Sequence, residues 1–179
     1  MTVRKSARRT RVLALSSLLV ALSIVILYLG CFLEVLDLTV AAVASLLVLL
    51  TVIEMGKGTA AMVWLATSIL AFLLLPNKFI AVEYAFLMGC YPLVKAMAER
   101  LPRGISWVVK LVFVNLALGV MVVLGHFAFG YPVESVWLLV GTFALATVTG
   151  VVFDIALTRL LTLYLMRLRS ALRIERLLK

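Results

Sequence analysis

The sequence predicts an all-α integral membrane protein built as a bundle of six transmembrane helices. Hydrophobic residues make up 65% of the 179 residues, and charged residues make up 14%. A water-soluble domain of this length does not bury so large an apolar fraction. The charges also stand between long apolar runs, close to the roughly 20 residues that cross a bilayer. We therefore expect residues 1–179 to form a single transmembrane domain.

Six apolar segments predict the six spans, and glycine or proline marks most of the connections between them. A basic amphipathic helix over 158–179 is expected to continue from the last span. Pro92 lies inside the fourth segment, where it removes the hydrogen bond to the Met88 carbonyl and predicts a kink. The predicted spans are 12–30, 38–53, 59–75, 79–96, 106–127 and 135–157.

The distribution of lysine and arginine predicts the orientation of the bundle. If the N-terminus is cytoplasmic, all of the 17 basic residues except Lys78 fall on the cytoplasmic side. We therefore predict cytoplasmic N- and C-termini and a multi-pass protein of the bacterial cell membrane. The basic helix over 158–179 is expected to bind lipids of the anionic inner leaflet. The net charge of +9 is assigned to this membrane role and not to nucleic-acid binding.

Motifs of enzymes and metal sites are missing from the sequence. It holds no nucleophile elbow, HExxH motif, Walker loop or pair of intramembrane aspartates, so we predict no enzymatic activity and no cofactor. Cys31 and Cys90 lie in apolar runs without the spacing of a metal site or a disulfide framework. The stretch YLGC, residues 28–31, loosely resembles a lipoprotein cleavage site. The apolar run before it exceeds the usual 7–15 residues of a signal peptide, which favours an intact first span.

Polar and aromatic residues collect at the predicted outer ends of the helices and indicate a candidate ligand site. An ionisable group inside a span is costly and suggests a function by default. Glu83 lies about 6 Å below the outer end of the fourth span at 1.5 Å per residue. It either lies near the interface, where it reaches water or pairs with Lys78, or it faces a ligand in an outward-facing pocket. The predicted ligand-binding residues are Glu83, Tyr84, Asn115, His126 and Trp137.

Structural roles remain open for these residues and for one further carboxylate. Asn115, near mid-membrane, either hydrogen-bonds to a neighbouring helix or forms the floor of the pocket. His126 is the single histidine, and it is either solvated and hydrogen-bonded or bound to a ligand. Tyr84 and Trp137 fit an aromatic belt at the membrane interface as well as they fit a ligand site. Asp154 is predicted to form an ion pair within its helix or with another helix.

The first span carries a stripe of small residues. Ala14, Ser17 and Ala21 recur at spacings of three and four residues, which places them on one helix face. Such a stripe lets another helix approach closely. It predicts either packing inside this bundle or a docking face for a partner subunit.

The first span reads RVLALSSLLVALSIVILYLG. Together with the layout of six spans and a basic start, this first span makes the chain resemble the substrate-binding S components of energy-coupling factor (ECF) transporters. The stretch EYAFLMGCYPLVKAMAERLP is similar to membrane proteins of Gram-positive anaerobes.

The ECF resemblance implies a subunit of a multi-subunit importer that binds a small, vitamin-like molecule in an outward-facing pocket. In that family a pair of alanines on the first helix packs against a coupling subunit, and ATPases associate with that subunit. Ser17 and Ala21 match that pair, with serine in place of the first alanine. The alternative is a membrane scaffold subunit that transports nothing, similar to the small rod-shape-determining membrane protein.

Overall fold

The computed structural model describes residues 2–32, 36–130 and 135–168. These residues are helical without a strand, and six of their helices are long and apolar enough to span a membrane. The predicted all-helical class with six membrane-length helices is confirmed. The six membrane-length segments are Arg9–Gly30, Asp37–Met55, Lys57–Leu74, Lys78–Ala98, Arg103–Phe127 and Val136–Met166.

Seven α-helices form these segments, because the fourth segment is divided and its two α-helical pieces flank a π-helical segment at Tyr84–Met88. The last helix continues into a second π-helical segment at Tyr164–Leu168. Residues 169–179 of the predicted C-terminal helix lie outside the described residues. The α-helices are α1 (Thr2–Gly30), α2 (Asp37–Met55), α3 (Lys57–Leu74), α4 (Lys78–Glu83), α5 (Tyr91–Ala98), α6 (Arg103–Phe129) and α7 (Val136–Leu163).

Polar contacts identify the two ends of the bundle. At one end, called the Asn77 end, the Asn77 side-chain amide donates to Asp37 Oδ2 at 3.4 Å. At the other, called the Lys57 end, Lys57 Nζ donates to the Ala96 carbonyl at 2.5 Å. These contacts place the starts of α2 and α4 together at one end and the start of α3 beside the end of α5 at the other.

The core lies where α1, α2 and α3 pack against one another and against α4 and the first π-helical segment. Small side chains occupy the closest contacts, among them Ala41, Ala44 and Ala60, each fully buried. Such residues permit close approach between helices in a membrane-type bundle. A second cluster joins α2, α5, α6 and α7. At the approach of α6 to α7, a Cβ on Gly150 would lie 3.0 Å from Val114 Cγ2.

The break in the fourth segment lies one turn before Pro92. The Gly89 N–H donates to the Tyr84 carbonyl at 2.7 Å, a hydrogen bond across five residues that defines the π-helical segment. Pro92 then falls in the first turn of α5, where its missing N–H costs no intrahelical hydrogen bond. The Trp64 indole N–H donates to the Ala85 carbonyl at 3.0 Å and ties this segment to α3.

Candidate functional site

A cavity of about 210 Å³ lies between the divided fourth segment and helices α6 and α7. Its wall is mainly apolar, with side chains such as Leu118, Met121 and Phe153. The residues with polar side chains in its wall are Glu83, Tyr91, Thr142 and Thr149. An apolar cavity with a few polar groups is the usual form of a small-molecule site.

Glu83 lines the cavity and holds a buried carboxylate oxygen that makes no hydrogen bond to the residues the structure describes. The residue is 9% exposed, and its Oε2 atom is buried without a hydrogen bond. Lys78 does not pair with it, because Lys78 Nζ donates to the Phe72 carbonyl at 2.8 Å and to the Leu75 carbonyl at 2.7 Å. The pairing of Glu83 with Lys78, one of the sequence-based alternatives, is therefore not formed.

Tyr91 joins the cavity to a buried cluster of charges. Its ring lines the cavity, packing at a centroid distance of 5.4 Å from Phe153. Its hydroxyl donates to Asp154 Oδ1 at 3.0 Å. One side chain of α5 thus forms part of the apolar wall and also bonds a carboxylate of α7.

The charge cluster is centred on Asp154 and contains Lys95, Lys110 and Glu99. Lys95 Nζ lies 2.5 Å from Asp154 Oδ1, and Lys110 Nζ lies 2.9 Å from Oδ2. The side chains of these three residues are 2–8% exposed. Glu99, whose side chain is 45% exposed, lies 3.0 Å from Lys95 Nζ and 3.9 Å from Lys110 Nζ. Two buried cations thus share one buried carboxylate and one at the surface.

This arrangement connects three helices, because Lys95 lies on α5, Lys110 on α6 and Asp154 on α7. Lys95 Nζ also donates to Thr158 Oγ1 at 2.8 Å, so it is anchored by a second residue of α7. Losing one partner of a buried ion pair leaves an uncompensated charge, which costs about 3–5 kcal/mol. The cluster therefore fixes α5 against α6 and α7.

Sequence reasoning missed most of this cluster. The cross-helix ion pair predicted as one alternative for Asp154 is confirmed. For Lys95 and Lys110, however, the distribution of charge predicts only a place among the basic residues of the cytoplasmic side. One feature of the sequence does indicate the cluster, because Lys95, Lys110 and Asp154 all lie inside apolar runs. Ionisable groups in such runs usually pair with one another.

Tyr84 follows Glu83 in sequence but does not line the cavity. Successive residues of a helix diverge by about 100°, and Tyr84 is fully buried on another side, in the core around α1 and α3. Its hydroxyl lies beside those of Ser23 and Thr67 without a hydrogen bond of good geometry.

The other three predicted ligand-binding residues also stand apart from the cavity wall. Asn115 Nδ2 donates to Thr147 Oγ1 at 3.1 Å, which is the helix–helix hydrogen bond that was one of its two alternatives. His126 is exposed, and its ring contacts that of Phe127 at a centroid distance of 5.1 Å. Trp137 is 86% exposed at the start of α7. The structure thus does not bring the five residues together, and Glu83 is the one that lines the cavity.

A second, larger depression runs between α1 and α3. This α1/α3 groove has a volume of about 700 Å³, and Arg9, Ser17 and Ala21 are among the residues that line it. Ala14, Ser17 and Ala21 are exposed, so the small-residue stripe is not packed inside this chain. The Ser17 hydroxyl donates to the Ala14 carbonyl at 3.0 Å and is satisfied within its own helix.

Metal ligands do not gather in the part of the chain that the structure describes. Within it, no three His, Cys, Asp or Glu side chains could hold a metal ion together. Comparison with protein-family models, with curated proteins and with solved structures finds no match to this chain.

Proposed function

We propose that the protein is a six-span membrane protein that binds a small molecule in the cavity beside Glu83. In this proposal both termini are cytoplasmic, because that orientation places nearly all basic residues on the inner side. The Asn77 end then faces outward. Glu83 lies five residues after Lys78 at that end, about 8 Å along the axis. The ligand is therefore taken from the outside.

The observation that carries this proposal is the buried Glu83 Oε2 atom without a hydrogen-bond partner at the wall of a cavity. Buried polar atoms are nearly always hydrogen-bonded, and an exception calls for an explanation. A carboxylate held without a partner costs free energy that a purely structural residue would not impose. A ligand that supplies the missing partner accounts for both the residue and the cavity.

The α1/α3 groove supports the second part of the proposal, which is docking on a partner. Ser17 and Ala21 of the stripe line this groove together with Arg9, and Ala14 is exposed on the same helix. A transmembrane helix of a coupling subunit fits such a surface, because small residues allow close backbone approach. We therefore propose a substrate-binding subunit of an importer similar to the ECF type, in which partner ATPases supply the energy.

The groove also favours one alternative function. A scaffold subunit that transports nothing would use the same open face to bind partners and would need no ligand. Purification of the tagged protein from its native membrane separates the two functions by what accompanies it. Importer ATPases are expected under the first function, and cell-wall or division proteins without ATPases are expected under the second.

The binding function is tested by thermal unfolding of the purified full chain with a panel of vitamins and small metabolites. We expect at least one compound to raise the midpoint of unfolding. The variant Ala146→Phe, which fills the cavity, should lose that rise, and Ala146→Leu serves as a milder version. Ala144→Phe adds the same side chain at an exposed position of α7 and should keep the rise. A panel without effect on the wild type contradicts the binding function.

A further inference from the structure

The charge balance of the cavity wall indicates the charge of its ligand. Among the described residues that line the cavity, Glu83 alone carries a formal charge. The remaining wall is apolar or hydroxyl-bearing, and Thr142 Oγ1 already donates to the Leu138 carbonyl at 2.9 Å. The wall thus offers a single negative group to whatever occupies the cavity.

The lysines of the surrounding elements are all engaged elsewhere. Lys78 donates to two carbonyls at the end of α3. Lys95 and Lys110 are held by Asp154, with Glu99 as a further partner. No ion pair reaches Glu83 from the residues that the structure describes. A positively charged group on the ligand would supply the missing ion-pair partner of Glu83.

A second acidic group lies on the same side and strengthens the preference. Asp37, at the start of α2, lies at the Asn77 end, where its carboxylate accepts from the Asn77 amide at 3.4 Å. Two carboxylates at the Asn77 end repel an anionic ligand and attract a cationic one. A neutral ligand would leave the Glu83 carboxyl without an oppositely charged partner in an apolar wall.

The apolar part of the wall indicates the rest of the ligand. Tyr91 and Phe153 both line the cavity, and the hydroxyl of Tyr91 is already bonded to Asp154. Aromatic rings of this kind favour an apolar body and attract a cation at their faces. Met88 and Met121 add flexible, polarisable contacts. The volume of about 210 Å³ limits the occupant to a small compound, since drug-sized ligands take roughly 300–1,000 Å³.

We propose that the cavity binds a small organic monocation, with its ammonium group beside Glu83 and its apolar part against Tyr91 and Phe153. This inference rests on the binding function proposed above and specifies the chemical class of its ligand. Amines and quaternary ammonium compounds belong to that class.

Three probes of nearly equal shape test the inference: 2-phenylethylamine, 2-phenylethanol and 3-phenylpropionate, which are cationic, neutral and anionic at neutral pH. Each is titrated calorimetrically into the full chain in zwitterionic nanodiscs, with empty nanodiscs as the blank. We expect the amine to bind about tenfold or more tightly than the alcohol, the effect of one charge-assisted hydrogen bond. The propionate should bind most weakly.

The variant Glu83→Gln should remove the preference for the amine. Glu54→Gln makes the same chemical change on α2, where Glu54 accepts a hydrogen bond from Tyr164 outside the cavity, and should keep the preference. A preference for the amine that survives in Glu83→Gln contradicts the inference, as does equal binding of amine and alcohol by the wild type.

The inference and the binding function fail in different ways. If the amine does not bind, but a neutral or anionic compound of the panel stabilises the wild type and not Ala146→Phe, the cavity is a binding site and the cationic class is wrong. If no panel compound and none of the three probes binds, both are wrong.

Discussion

The Tyr91 hydroxyl donates to Asp154 Oδ1 at 3.0 Å while the Tyr91 ring lines the cavity. Tyr91→Phe separates these two roles, because it keeps the ring and removes the hydrogen bond. We expect a loss of about 1.5–3 kcal/mol in the free energy of unfolding, the range for a hydrogen bond to a charged group. Ligand binding should persist. Tyr28→Phe, at a position 45% exposed, is the control and should leave thermal unfolding unchanged.

Asp154 should be the most sensitive residue of the charge cluster. Asp154→Ala leaves Lys95 and Lys110 buried without their shared carboxylate, so we expect a loss of about 3–5 kcal/mol. Glu99→Ala should cost much less, because the Glu99 side chain is 45% exposed. Arg159→Gln, an exposed position on the same helix as Asp154, should have little effect. Equal midpoints of unfolding for Asp154→Ala and Arg159→Gln would show that the cluster does not stabilise the fold.

Gly89 is required by the close approach of Tyr84. A Cβ at this position would lie 2.7 Å from the Tyr84 carbonyl oxygen and 2.8 Å from its ring carbon Cζ. Gly89→Ala should therefore destabilise the protein by about 1–3 kcal/mol, as overpacking does. Gly119→Ala, where a Cβ meets nothing within 4 Å inside α6, should be neutral or slightly stabilising. Thermal unfolding of the two variants gives the comparison, and similar midpoints would contradict the role assigned to Gly89.

The proposed orientation predicts the labelling of single cysteines in intact cells. In a background with Cys31→Ser and Cys90→Ser, Ser135→Cys at the start of α7 should react with a membrane-impermeant maleimide. Gly104→Cys, in the first turn of α6, should react after the cells are permeabilised and not before. The reverse labelling pattern would show that the bundle has the opposite orientation, with the Glu83 cavity toward the cytoplasm.

The membrane-length helices were predictable from sequence, because their signal is the length of apolar runs. The region from Glu83 to Lys95 shows where such reasoning stops. Pro92 predicts an irregularity, yet the π-helical turn lies before it, where Gly89 permits Tyr84 to pack closely. The partners of Lys95 depend on how α5 meets α7, and spacing along one helix does not report that contact. The five predicted ligand-binding residues do not meet in one site for the same reason. Residues at a similar depth in the membrane need not lie on the same face of the bundle.

The most direct test of the central claim is the stability of Glu83→Met without any ligand. If Glu83 is kept for a ligand, replacing an unpartnered buried carboxylate by an apolar side chain of similar size removes its desolvation cost. We expect a higher midpoint of thermal unfolding, by about 1 kcal/mol or more in stability, together with loss of ligand-induced stabilisation. A midpoint lowered as far as that of Asp154→Ala would show that Glu83 supports the fold itself and would contradict the account.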